Sequence, residues 1–152
     1  MLARITGYIE DQIGDGSKYS DYVAYTKNPY EIEHILSDHY EWFTNEFTGP
    51  EDFNQWRNHI GALLLLRKSI NASLNDSDYN HKLKKYCSNE GNIYAGSLCD
   101  LTYKNNPRFK KFINNNNLLF EPYVAFGKIE IKQRTKLLIQ LVNLIWNTDM
   151  FI

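Results

Sequence analysis

Tyr30-Glu31-Ile32-Glu33-His34-Ile35-Leu36, and further on Ile60-Gly61-Ala62-Leu63-Leu64-Leu65-Leu66, are the stretches on which the fold turns. The first alternates weakly and reads as a short strand. Successive strand side chains point to opposite sides, so Tyr30, Ile32 and His34 share one face and Glu31, Glu33 and Ile35 the other. The second is the longest apolar run in the chain. Its near-continuous apolar character predicts a strand buried on both faces. Ile70 to Leu74 follows, and Asp78 to Tyr86 then reads as a helix with Ser77 as its N-cap. Residues 37–59, between the strands, are polar and aromatic, with a turn at Gly49-Pro50 and a helical turn over Glu51 to Arg57.

On the N-terminal side, Leu2, Ile5, Ile9 and Ile13 fall at helical spacing, and Gly14 and Gly16 end that helix. Residues 15–29 read as a polar, Tyr-rich loop with a short strand at Tyr22 to Tyr25 and a break at Asn28-Pro29. On the C-terminal side come a helix at Arg108 to Ile113, a polar loop at Asn114 to Asn117, a loop near Pro122 and an amphipathic helix from Glu130 to Trp146. No internal repeat is present. The pattern predicts an α+β domain over residues 1–152. Its centre, residues 30–86, is a strand–strand–helix unit flanked by N- and C-terminal helices. The apolar stripe of the first helix has no partner within its segment, as expected of a C-terminal fragment of a larger protein.

The 152 residues are 43% apolar and 14% aromatic, enough for a core and too much for wholesale disorder. No run approaches the roughly 18 apolar residues of a membrane span, and the opening carries no secretory pattern. A cytoplasmic protein without membrane contact is expected. Cys87 and Cys99 are too few for a zinc site or a disulfide framework, and are expected to be reduced. Charge is unevenly spread. Residues 1–60 carry four basic residues against eleven acidic, whereas residues 81–111 carry seven against two. The basic stretch is either an electrostatic footprint for nucleic acid or a solvated surface.

The chain has no Gly-rich phosphate loop, nucleophile elbow or zinc spacing. Of its four histidines, His34 stands out by its company. Glu33-His34 closes one strand, the apolar strand follows, and Asn71 and Asn75 stand four apart where a helix begins, on one helical face. A carboxylate and an amide carbonyl are oxygen ligands suited to a hard divalent cation. A neutral histidine beside it can take a proton from water. The set suits metal-assisted hydrolysis of a phosphodiester.

Ile32-Glu33-His34-Ile35, then Ile60-Gly61-x-Leu63-Leu64-Leu65-Leu66, then Asn71-x-Ser73-Leu74-Asn75 with Lys82, resembles an HNH nuclease of the ββα-metal class. More closely it resembles the C-terminal domain of GmrSD-like restriction proteins, from about Leu2 to Trp146. The resemblance implies a Mg²⁺- or Mn²⁺-dependent DNA endonuclease that acts against foreign or modified DNA such as that of phages. It also implies an N-terminal ParB-like nucleotidase domain in the same or an associated polypeptide. By position it makes His34 the general base, Glu33, Asn71 and Asn75 the metal ligands, and Asn71 a catalytic residue as well. The chain departs from the pattern at Ala62, where most relatives have Asn, and at Ser37, where many have Pro. Asn58 and His59 are nearby substitutes for the missing amide. Arg134 precedes the stripe Leu138, Leu141 and Ile145. It is either a guanidinium delivered to a phosphate or a stem packed at the helix start. Lys82, Lys84, Lys85, Arg108, Lys110 and Lys111 are either backbone-phosphate contacts or solubilising charges. Two further readings stay open: a degenerate domain that binds DNA or a partner domain without cutting, and a structural module with no nucleic acid.

Overall fold

The apolar stripe at Leu2, Ile5, Ile9 and Ile13 forms one side of helix α1 (Leu2–Ile13), and Gly14 closes it in the left-handed conformation at φ 72°. The computed structural model describes residues 1–16, 18–88 and 91–147. Residues 19–23 form a short helix, α2 (Tyr19–Val23), and not the expected strand. The Asp21 carboxylate accepts from the Lys18 amide at 2.7 Å and stabilises the helical turn. Tyr22 is buried and donates its hydroxyl to Glu10 of α1.

Strand β1 (Tyr30–His34) pairs antiparallel with β2 (Leu63–Arg67), His34 lying opposite Leu63 and Tyr30 opposite Arg67. Leu64, Leu65 and Leu66 are all buried, as the apolar run predicts. The run does not extend as strand to Ile60, however. Ile60–Ala62 form a 3₁₀ turn, capped by the His59 ring accepting from the Gly61 amide at 3.3 Å. Helix α3 (Pro50–Arg57) lies between the strands in sequence, packing Phe53 against Phe43 and Phe47.

Helix α4 (Lys68–Leu74) follows β2 directly and packs on both strands. Asn71 therefore lies inside a helix, and Asn75 is its C-terminal cap at φ 41°. Helix α5 (Tyr79–Tyr86) is capped by Asp78, whose carboxylate accepts from the His81 amide at 2.9 Å, and not by Ser77. Helices α6 (Ile93–Gly96), α7 (Asp100–Asn105) and α8 (Pro107–Asn116) follow. Asn114 to Asn116 finish α8 and Asn117 caps it in the left-handed region, so the tetrad ends a helix and is not a loop. The two cysteines are joined, Cys87 to Cys99, contrary to the expectation of free thiols. The bridge ties the end of α5 to the start of α7.

Helix α9 (Lys128–Ile145) buries Ile131, Leu137, Leu138 and Leu141. It packs on α1 and on the 3₁₀ turn. A Cβ added at Gly61 would meet the Ile131 carbonyl at 2.4 Å, so only glycine permits this approach. The α+β reading holds: a two-stranded antiparallel sheet with α4 across it and helices from both ends around it. Among the described residues, no helix is long and apolar enough to cross a membrane.

Candidate active site

β1 reverses the usual alternation. Apolar Ile32 is 53% exposed, whereas Glu33 is only 5% exposed. A buried carboxylate is costly unless it is paired. Here the pair comes from α5: Lys82 Nζ lies 2.9 Å from Glu33 Oε1, and the Tyr86 hydroxyl donates to the same oxygen at 2.6 Å. Burial first, then Glu33 itself, raises the Tyr86 pKa well above its ordinary value, so Tyr86 remains a donor. Lys82 also donates to the His34 carbonyl at 2.6 Å, fixing the end of β1.

His34 lies half-buried at that end, its Nε2 3.0 Å from Asn58 Oδ1. Its pKa is lowered, first by burial and then by Arg57 and Lys82, against the opposing effects of Asn58 and Glu33. The ring is therefore held in its neutral, proton-accepting form. Asn71 reaches from α4 to β1, its Nδ2 donating to the Ile32 carbonyl at 3.2 Å.

Glu33, His34, Asn71 and Asn75, drawn from β1 and α4, line one groove of about 270 Å³, with Glu31, Asp38 and Asp76 as further carboxylates. Its cations are Arg57, Lys68 and Lys82. Arg57 and Lys68 carry no motif, and the sequence reading missed them. A basic residue beside each expected segment was the available signal.

The oxygen donors suit a hard divalent cation. Nδ2 of Asn71 is engaged, and its Oδ1 accepts no hydrogen bond among the described residues. No three His, Cys, Asp or Glu side chains converge into a closed cage among those residues.

The expected basic site residues lie elsewhere or act otherwise. Arg134 is 1% exposed and does not line the groove. Its Nε donates to the Gly61 carbonyl at 2.8 Å, and its guanidinium lies over the Tyr94 ring at 4.7 Å. A guanidinium so enclosed meets no phosphate; it braces the 3₁₀ turn. Lys82 lines the groove but is buried on Glu33, so its charge neutralises a carboxylate. Lys84, Lys85, Arg108, Lys110 and Lys111 do not line the groove, and Arg108 donates to the Ile13 carbonyl at 3.4 Å. Ala62 is fully buried, and its carbonyl accepts from the Ile35 amide at 2.9 Å. Ser37, where the resemblance expects Pro, is buried and donates its hydroxyl to the Ser77 carbonyl.

The family described as GmrSD restriction endonucleases, C-terminal domain, matches residues 3–141. No curated protein and no solved structure matches the chain.

Proposed function

From the premise that the chain belongs to the family of GmrSD restriction endonuclease C-terminal domains, we propose that it hydrolyses DNA phosphodiester bonds with an HNH-type site in the groove. The observation that carries this reading is that His34, Glu33, Asn71 and Asn75 line one groove, together with Arg57, Lys68 and Lys82. His34 accepts the proton of an attacking water. Its lowered pKa keeps it neutral at pH 7, as a general base must be. Glu33, Asn71 and Asn75 are the oxygen donors that would hold Mg²⁺ or Mn²⁺, Glu33 through the oxygen that Lys82 and Tyr86 leave unused. Bound there, the cation would supply charge stabilisation for the pentacovalent phosphate and the leaving 3′ oxygen. Arg57 and Lys68 line the groove 3.9 Å from Asp38 and Glu31, and would turn from these carboxylates to the flanking phosphates. Lys85 follows Lys82 by three residues and so shares its side of α5. Lys85, with Lys84, Arg108, Lys110 and Lys111, would meet the DNA backbone beyond the groove, where contacts are independent of sequence and weakened by salt. The domain would act against foreign or modified DNA, beside a ParB-like nucleotidase domain.

Cleavage of phage DNA carrying modified bases, in Mg²⁺ or Mn²⁺, tests the reading with the full-length protein. His34→Ala should lower the rate by about 10²–10⁴-fold while leaving DNA affinity intact. A His34→Ala protein that cleaves at the wild-type rate overturns the assignment. DNA binding by a wild-type protein that never cuts would instead identify a binding domain without catalysis, the reading that Ala62 favours.

A further inference from the structure

We propose that Asn58 is the positioning residue for His34: its amide oxygen keeps the imidazole proton on Nε2 and so makes Nδ1 the proton acceptor. This rests on the reading of His34 as the base. Asn58 is the residue on which α3 ends, its own amide bonded to the Asn54 carbonyl at 3.1 Å. Its side-chain Nδ2 donates to that same carbonyl at 2.8 Å. A primary amide has its donors on nitrogen and its acceptors on oxygen. Once Nδ2 is committed to Asn54, the oxygen is the atom that remains for the ring, 3.0 Å from His34 Nε2. An amide oxygen only accepts, so Nε2 must donate. A neutral imidazole has a single N–H, so Nδ1 carries the lone pair. The opposite tautomer would set two lone pairs against each other at hydrogen-bond distance.

The neighbouring His59 is engaged elsewhere. His59 Nδ1 accepts from the Gly61 amide, and its ring stacks on Trp56. The amide that holds His34 is thus carried on the last turn of α3, outside both strands and outside α4. For metal-ligating histidines, removing the group that orients the ring through its second nitrogen typically costs about 10–100-fold in activity, and a loss of the same order is expected for a histidine base.

Long-range ¹H–¹⁵N spectra of the ¹⁵N-labelled full chain, at alkaline pH where the ring is neutral, test the proposal. Wild-type His34 should show a pyrrole-like Nε2 and a pyridine-like Nδ1. Asn58→Asp, which retains an acceptor, should keep that pattern, and Asn58→Ala should move it toward a mixture of tautomers. In cleavage, Asn58→Ala should lower kcat by about 10–100-fold with KM little changed, and Asn58→Asp should recover most of the loss. Wild-type protein with the proton on Nδ1 overturns the proposal with no substitution needed. An Asn58→Ala spectrum identical to wild type overturns it as well. The spectra require no turnover, so a protein that fails to cut DNA would count against His34 as the base and leave the test of Asn58 standing.

Discussion

Glu33 and His34 are neighbours in the chain with different work to do: one is enclosed by Lys82 and Tyr86, the other half-open at the groove. Two predictions belong to them. Burial, with Arg57 and Lys82, lowers the His34 pKa from the ordinary 6.5. A lowered pKa means that the neutral base survives to lower pH, so the acid limb of kcat/KM should fall below pH 6.5. Arg57→Gln removes one lowering charge and should move that limb upward. A wild-type limb above 6.5 would contradict the assignment. The second prediction concerns the ion pair. Lys82→Met leaves a buried carboxylate unpaired and should cost about 3–5 kcal/mol in denaturant unfolding. Adding Glu33→Gln should recover much of that loss. That Glu33 and His34 close β1 was legible in the sequence, because residue type and strand patterning suffice to find them. The fates of Lys82 and Arg134 were not. A long basic side chain looks the same in sequence whether it meets water, a phosphate or a buried carboxylate, and only the tertiary partner decides.

At the scale of elements, regular patterning was readable and the exceptions were set by single contacts. Helices α1 and α9 and the pairing of β1 with β2 follow from period and apolarity. The start of β2 does not, because an apolar run cannot reveal that Ile60–Ala62 bends to meet α9. Gly61 sits at that meeting. Gly61→Ala brings a Cβ to 2.4 Å from the Ile131 carbonyl, which is backbone and cannot swing aside. The substitution should cost about 1–3 kcal/mol or more and lower the melting temperature accordingly. A melt indistinguishable from wild type would show that α9 does not press on the turn. Local polar bonds account for the other departures. Asp21 favours a helical turn where β-prone tyrosines suggested a strand, and Asp78 rather than Ser77 caps α5.

Taken as a whole, the molecule encloses its sheet between helices from both ends of the chain, and one covalent bridge secures the helix that completes the site. Cys87 follows Tyr86, so the Cys87–Cys99 bond anchors the end of α5, the helix that supplies Lys82 and Tyr86. Two isolated cysteines offer no sequence signal for pairing; proximity comes from α5, α6 and α7 folding together. The bonded residues are 12 apart, and closing a loop of that order contributes about 3 kcal/mol through the unfolded state. Reduction should therefore lower the melting temperature by about 6–12 °C, and Cys99→Ser should melt like the reduced protein. An unchanged melt under reductant would show that the bond contributes nothing. The contact between Arg134 and the Gly61 carbonyl joins residues 73 apart, and this separation orders events on the ribosome. His34, both strands and α4 are translated long before the helix that braces their turn. A nascent or prematurely terminated chain thus carries every proposed catalytic side chain around an unsupported turn, and the proposed site is complete only once α9 has been made.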